Sequence, residues 1–168
     1  LASVDPTLRA RDLHGTVSHA FAPQRAIRLA GQIDELRWGP SDSLPGLAGV
    51  AGELRLSPGA ASFVLAGAPH LTLDAPRAYA EPLQLDAARG TLTAQWSDAG
   101  VGVQLDGFAA RRGDFDLAVR GRLSLPVGGE PDLFVQAGTP QAAADAFFAL
   151  LPDRALSPKF IAWGRQAI

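Results

Sequence analysis

The sequence contains no cysteine and no methionine, and Lys159 is its only lysine. The missing cysteines exclude disulfide frameworks, zinc–thiolate sites and thiol catalysis. The net charge of -2, with no basic run longer than Arg111-Arg112, excludes a strongly electrostatic nucleic-acid binder. No apolar run reaches the roughly 18 residues of a membrane span, and no signal-peptide pattern is present. Because patterned stretches include both Leu1 and Ile168, we expect this chain to be a piece of a longer protein.

Motifs of catalysis and cofactor binding are also absent from the sequence. There is no Gly-x-Ser-x-Gly and no His-Glu-x-x-His, and Gly100-Val-Gly102 lacks the third glycine of a dinucleotide fingerprint. His14 and His19 are five residues apart, which puts them on opposite faces of a strand, so they make a poor metal pair. With His70 they are interpreted as surface residues. We predict no cofactor and no metal, and an unrecognised hydrolase is only a minor alternative.

Alternation of apolar and polar residues is the dominant signal that is present. It is clearest from Gly113 to Pro126, where apolar side chains fall on one face and charged or polar ones on the other. Such a pattern predicts half-buried antiparallel strands. Turn signals separate the runs, namely Ser57-Pro-Gly, Gly67-Ala-Pro, Asp98-Ala-Gly, Arg112-Gly and Val127-Gly-Gly-Glu-Pro.

Two of the alternating runs change phase partway along. The change falls at Asp34-Glu35 in the first and between Ala87 and Gly90 in the second. A one-residue insertion exchanges the two faces of a strand, so a bulge or tight bend at each point would keep one face apolar. The segment from Pro76 to Pro82 is predicted to be an irregular crossing, because proline has no N–H group to donate to a β-ladder. A weak repeat of Gly-x-Leu or Gly-x-Val starts at Gly15, Gly52, Gly90 and Gly121.

The last 30 residues change character. Thr139-Pro140 and Ser157-Pro158 are helix-start signals. The first is followed by an alanine-rich run to Leu151, and after the second Phe160, Trp163 and Ala167 fall at helical spacing. The predicted fold is therefore mainly β. It has a curved, elongated antiparallel sheet forming a U-shaped groove over residues 1–138 and two short helices in residues 139–168.

Spaced residues across most of the chain resemble the YhdP family of AsmA-like proteins. They are Trp38, Leu44-Pro45-Gly46, Gly52-Glu-Leu, the segment Pro76 to Leu83 with Tyr79, and a strand ending in Trp96. The closing stretch from Ala149 to Ile168 resembles the leucine-proline, Ser-Pro, tryptophan-containing helix of that family. The resemblance implies a bridge-like lipid transfer protein of a Gram-negative bacterium, anchored in the inner membrane and extending through the periplasm.

The function implied by the resemblance is a non-enzymatic segment of a groove that conducts phospholipid between the inner and outer membranes. Its partners would be phospholipid acyl chains and neighbouring segments of the same long chain. Nucleic acid is not expected to bind, and membranes would be contacted only through parts outside these residues. The alternative is a structural or assembly domain with a filled core and no ligand. The residues predicted to line the groove are Leu54, Leu56, Phe63, Leu65, Leu71, Leu73, Leu83, Leu85, Leu92, Val101, Val103, Leu105, Phe115, Leu117, Val119 and Leu123.

Overall fold

A computed structural model of the protein describes residues 6–18, 26–41 and 44–139, together with 154, 156, 157, 159, 162 and 163. These residues contain eight strands that form one sheet in chain order, each antiparallel to the next. The mainly β, antiparallel prediction is confirmed. The strands are β1 Thr7–Ser18, β2 Ala26–Trp38, β3 Gly46–Ser57, β4 Ala60–Asp74, β5 Leu83–Ser97, β6 Gly100–Arg112, β7 Phe115–Pro126 and β8 Asp132–Gly138.

Tight hairpin turns lie at the predicted glycine and proline signals. Pro58-Gly59 joins β3 to β4, Asp98-Ala99 joins β5 to β6, and Gly113-Asp114 joins β6 to β7. In each case the flanking residues pair directly, as Ser57 does with Ala60. Gly59 has φ 74° and Gly113 has φ 56°, a conformation that glycine adopts without a steric penalty.

The predicted phase changes coincide with shifts in strand register. Around Asp34 and Glu35, β2 has one residue more than β1 and one more than β3. Near Gly90 the extra residues lie on β4 and β6, beside Gly67 with φ 50° and Gly107 with φ 56°. The turn predicted at Gly67-Ala-Pro is wrong, because these residues are inside β4. A left-handed glycine serves a bulge as well as a turn, so the composition of this stretch fits both.

Six of the eight apolar residues that are buried in the described part of the chain form one cluster on one side of the sheet. Val50, Leu71, Leu83, Leu85, Ala88 and Ala110 make its core, and Leu36, Leu47, Phe63, Leu65, Leu73, Tyr79 and Phe108 pack against it. The cluster joins residues from β3 to β6, so the sheet is concave on this side. It curls part of the way towards a small barrel, while β1 and β8 share no ladder.

Residues 75–82, between β4 and β5, cross one end of the sheet without joining it. Ala78 and Tyr79 donate their backbone N–H groups to the Ala75 carbonyl at 2.8 Å, which makes this segment a turn. The irregular crossing predicted for Pro76 to Pro82 is confirmed. Tyr79 packs on the buried cluster, and the segment therefore covers the cluster from outside the sheet.

The two helices predicted in residues 139–168 are not seen as elements in the structure. Most of this region lies outside the described residues, and the first predicted helix lies almost wholly outside them. Lys159, Ala162 and Trp163 have helical backbone, but no complete helix falls within the described part. Arg154 is hydrogen-bonded to the crossing segment 75–82, because its backbone N–H donates to the Ala78 carbonyl at 3.0 Å and its Nη1 to the Pro76 carbonyl at 2.7 Å.

Candidate functional site

One face of the sheet, here called the apolar face, carries uninterrupted rows of apolar or small residues. Directly paired residues of neighbouring strands point to the same side, so each row can be followed across the ladder. One row runs from Leu29 to Leu133, and the next runs from Gly31 to Val135. In chain order the rows are Leu29, Leu56, Ala61, Ala94, Val103, Leu123 and Leu133, and Gly31, Leu54, Phe63, Leu92, Leu105, Gly121 and Val135.

Burial on the apolar face falls from one end of the strands to the other. Around Leu85 and Ala110 the side chains fill the concave side, with 6% and 5% of their surface exposed. At the opposite end, Trp96, Val101 and Leu125 form a paired row and expose 44%, 40% and 40%. The apolar face therefore has a filled end, around Leu85 and Ala110, and an open end, at the row of Trp96, Val101 and Leu125.

The sixteen residues predicted to line a groove lie on the apolar face. The strand pairing places twelve of them on shared rows or on the same side of β7, and the buried cluster joins Leu71, Leu73, Leu83 and Leu85 to them. The twelve are Leu54, Leu56, Phe63, Leu65, Leu92, Val101, Val103, Leu105, Phe115, Leu117, Val119 and Leu123. Their common face follows from the structure, whereas their role remains a proposal.

Several residues of the same face were missed by the sequence analysis. Phe108 packs on the cluster because the bulge at Asp106-Gly107 returns it to the apolar side, paired with Val119. Ala88 and Ala110 are among the most buried residues, and an alanine gives little periodic signal. Trp96 and Leu125 could have been included, since each continues the alternation of its strand.

The opposite face, here called the polar face, carries exposed ion pairs. Arg11 and Asp34 approach to 3.1 Å, Arg111 and Asp116 to 3.3 Å, and Arg122 and Asp132 to 3.1 Å. Exposed pairs of this kind contribute about 0–1 kcal/mol each. Within the described ranges no polar or charged side chain is buried, and no three potential metal ligands come together. The two histidines in these ranges, His14 and His70, lie on β1 and β4, while His19 lies outside them.

A family model described as YhdP protein matches residues 1–168. The chain belongs to the YhdP family. This is a family of envelope-associated, AsmA-like bacterial proteins, which agrees with the β-rich architecture and the apolar face. No curated protein and no solved structure matches the chain. The part of this YhdP-family chain that the structure describes contains no helix long and apolar enough to span a membrane.

Proposed function

We propose that the apolar face is a segment of a path for phospholipid acyl chains between the inner and outer membranes. The function is non-enzymatic, and the sheet belongs to the periplasmic part of an inner-membrane-anchored protein of a Gram-negative bacterium. Neighbouring segments of the same long chain would extend the path on either side. Outer membrane biogenesis is then the process served.

The observation that carries the proposal is the continuity of the apolar face together with its open end. Burial of an acyl chain gains roughly 0.8 kcal/mol per CH₂ group, so even a shallow apolar channel holds a chain. A charged headgroup costs several kcal/mol when buried without a partner, so it would stay outside. No charged side chain lies in the row from Leu29 to Leu133 or in the row from Gly31 to Val135.

The decisive experiment compares two variants of equal exposure on opposite faces. Leu92, on the apolar face, and Val64, on the polar face, each expose 43% of their surface and lie on adjacent strands. We expect lipid to co-purify with the 168-residue chain and to be lost at least fivefold in Leu92→Glu. An acyl chain would have to displace the water around the new carboxylate, which costs several kcal/mol. Val64→Glu should retain the lipid.

The readouts are mass spectrometry of extracted lipid and thermal unfolding of each variant. Leu92→Glu and Val64→Glu should unfold within a few degrees of one another, because both carboxylates stay hydrated in the lipid-free chain. Equal lipid recovery from the two variants would contradict a path on the apolar face.

The alternative function is that of a structural or assembly domain, and the filled end favours it. There Leu71, Leu83, Leu85, Ala88 and Ala110 belong to one buried cluster, as in a filled core. If this packing continues over the whole apolar face in solution, Leu92→Glu buries a carboxylate and unfolds the chain. Absence of lipid from the unmodified chain, with a large loss of stability in Leu92→Glu, would establish this alternative.

A further inference from the structure

A depression on the polar face has no part in the proposed lipid path. It spans β1 to β5 and encloses about 570 Å³, within the range of small-ligand sites. A twisted sheet is saddle-shaped. Along one diagonal it can be concave towards the apolar face, and along the other diagonal it can be concave towards the polar face. The backbone of the five strands forms the floor, and side chains of the polar face form the walls.

Ala30 lies at the centre of three cationic or polar side chains. His14 of β1 pairs directly with Ala30, and Arg55 of β3 pairs with it from the other side. Arg28 is two residues away on the same side of β2. Directly paired residues have Cβ atoms about 4.5–5.5 Å apart, and diagonal ones about 7–8 Å apart. The short Ala30 side chain therefore leaves a space bounded by two guanidinium groups and an imidazole.

The charges around this space are only partly compensated within the described residues. Arg55 donates from Nε and Nη2 to Glu53, at 2.7 and 2.6 Å. The side chains of Arg28 and His14 form no hydrogen bond or ion pair with any residue that the structure describes. The residues that line the depression include no aspartate or glutamate, whereas Thr16, Ser62, Thr93 and Gln95 add hydrogen-bonding groups.

We infer that this depression binds a phosphate group above Ala30. Arg28 and Arg55 lie diagonally on neighbouring strands, and an anion between them would attract both guanidinium groups. A guanidinium matches the oxygens of phosphate with paired N–H donors. The phosphate belongs either to a soluble ester or to a lipid headgroup. The site lies on the face opposite the proposed acyl-chain path, so it does not depend on that proposal.

The test is a titration of the 168-residue chain with inorganic phosphate at low ionic strength, followed through backbone amide NMR shifts. We expect saturable shifts at Arg28, Ala30 and Arg55, with a dissociation constant at least fivefold higher in Arg28→Ala. The matched control is Arg37→Ala, at the other end of the polar side of β2, which should bind like the unmodified chain. Ala30→Glu should abolish phosphate binding and preserve the fold, because its carboxylate would occupy the site.

Two further ligands identify the source of the phosphate. Binding to vesicles of phosphatidylglycerol in phosphatidylcholine, lost in Arg28→Ala but not in Arg37→Ala, would assign the site to a lipid headgroup. Binding of glycerol phosphate without vesicle binding would assign it to a soluble ester. No localised shift with phosphate, or the same loss of affinity in Arg28→Ala and Arg37→Ala, would overturn the inference.

Discussion

Two glycines on the apolar face occupy positions where a side chain would meet the backbone of the next strand. They are Gly52 of β3 and Gly90 of β5. A Cβ at Gly52 would lie 2.1 Å from the Val64 carbonyl oxygen, and one at Gly90 would lie 2.8 Å from the Phe108 Cα. The Phe63 ring lies 3.0 Å from the Cβ position of Gly52, so an aromatic side chain covers the place left by this glycine.

Gly52→Ala tests this close approach. The added methyl must push the backbone of β4 away, and such overpacking typically costs 1–3 kcal/mol, which lowers Tm by several degrees. Gly102→Ala is the control, since a Cβ there meets nothing within 4 Å and needs no left-handed backbone. Differential scanning calorimetry should show a lower Tm for Gly52→Ala and an unchanged Tm for Gly102→Ala. Similar Tm values for the two variants would show that the β4 backbone at Val64 can move away from the added methyl group at little cost in stability.

The side of the sheet on which a residue lies could be predicted from the sequence, whereas its closest contact could not. Alternation identified Leu117 and Val103 as residues of one face because the period of a strand is two. The crowding at Gly52 depends on the neighbouring strand β4, and the sequence of β3 carries no trace of that distance. The same limit applies to the phosphate site, since only the register brings His14 and Arg55 to either side of Ala30.

At the level of elements, bulges keep the apolar face continuous along strands of 12 to 15 residues. The bulge at Asp34-Glu35 was predictable, because the apolar residues change from odd to even positions there. At Gly67-Ala-Pro the composition predicts a chain reversal, which would divide β4 into two short strands. A turn and a bulge can be distinguished only when the partner strand is known. Here β5 pairs with residues on both sides of Gly67, so the chain continues as one strand.

Strand β8 should be the least stable element of the described sheet. All seven of its residues are exposed, it pairs only with β7, and its side-chain bonds to that strand, Arg122 to Asp132 and Arg120 to Gln136, are exposed. Exposed edge elements open at lower free energy than strands paired on both sides. We expect amides of β8 to exchange at least tenfold faster than amides of β5, measured by mass spectrometry. Equal protection of β8 and β5 would mean that the edge is covered in solution.

At the scale of the whole molecule, the sheet presents apolar side chains along both of its edges. Leu8, Leu13 and Val17 of β1 expose 57–60% of their surface, and Leu133 and Val135 of β8 expose 69% and 59%. An edge with unpaired backbone groups and apolar side chains is a template for another strand. Neighbouring segments of a longer chain, which we propose as partners, would find such a template at either edge.

The 168-residue chain on its own should therefore self-associate with increasing concentration. Val135→Lys should shift it towards the monomer without a fall in Tm, because a charge on an exposed edge opposes strand addition and removes no core contact. Leu44→Lys, equally apolar and 55% exposed but located between β2 and β3, should leave association unchanged. Sedimentation velocity over a concentration series measures both variants. A monomer at every concentration would mean that the edges do not attract further strands.

Every substantial contact between strands in the described sheet joins neighbours along the chain. Such local pairing gives a low contact order, so each hairpin can add to the last as the chain emerges. Local pairing also allows the sheet to grow by whole hairpins. One additional hairpin widens the sheet by two strand spacings, about 9–10 Å, and returns the following strand to the same direction and side. Duplication of hairpins is therefore a route by which such a sheet can be extended in equal steps.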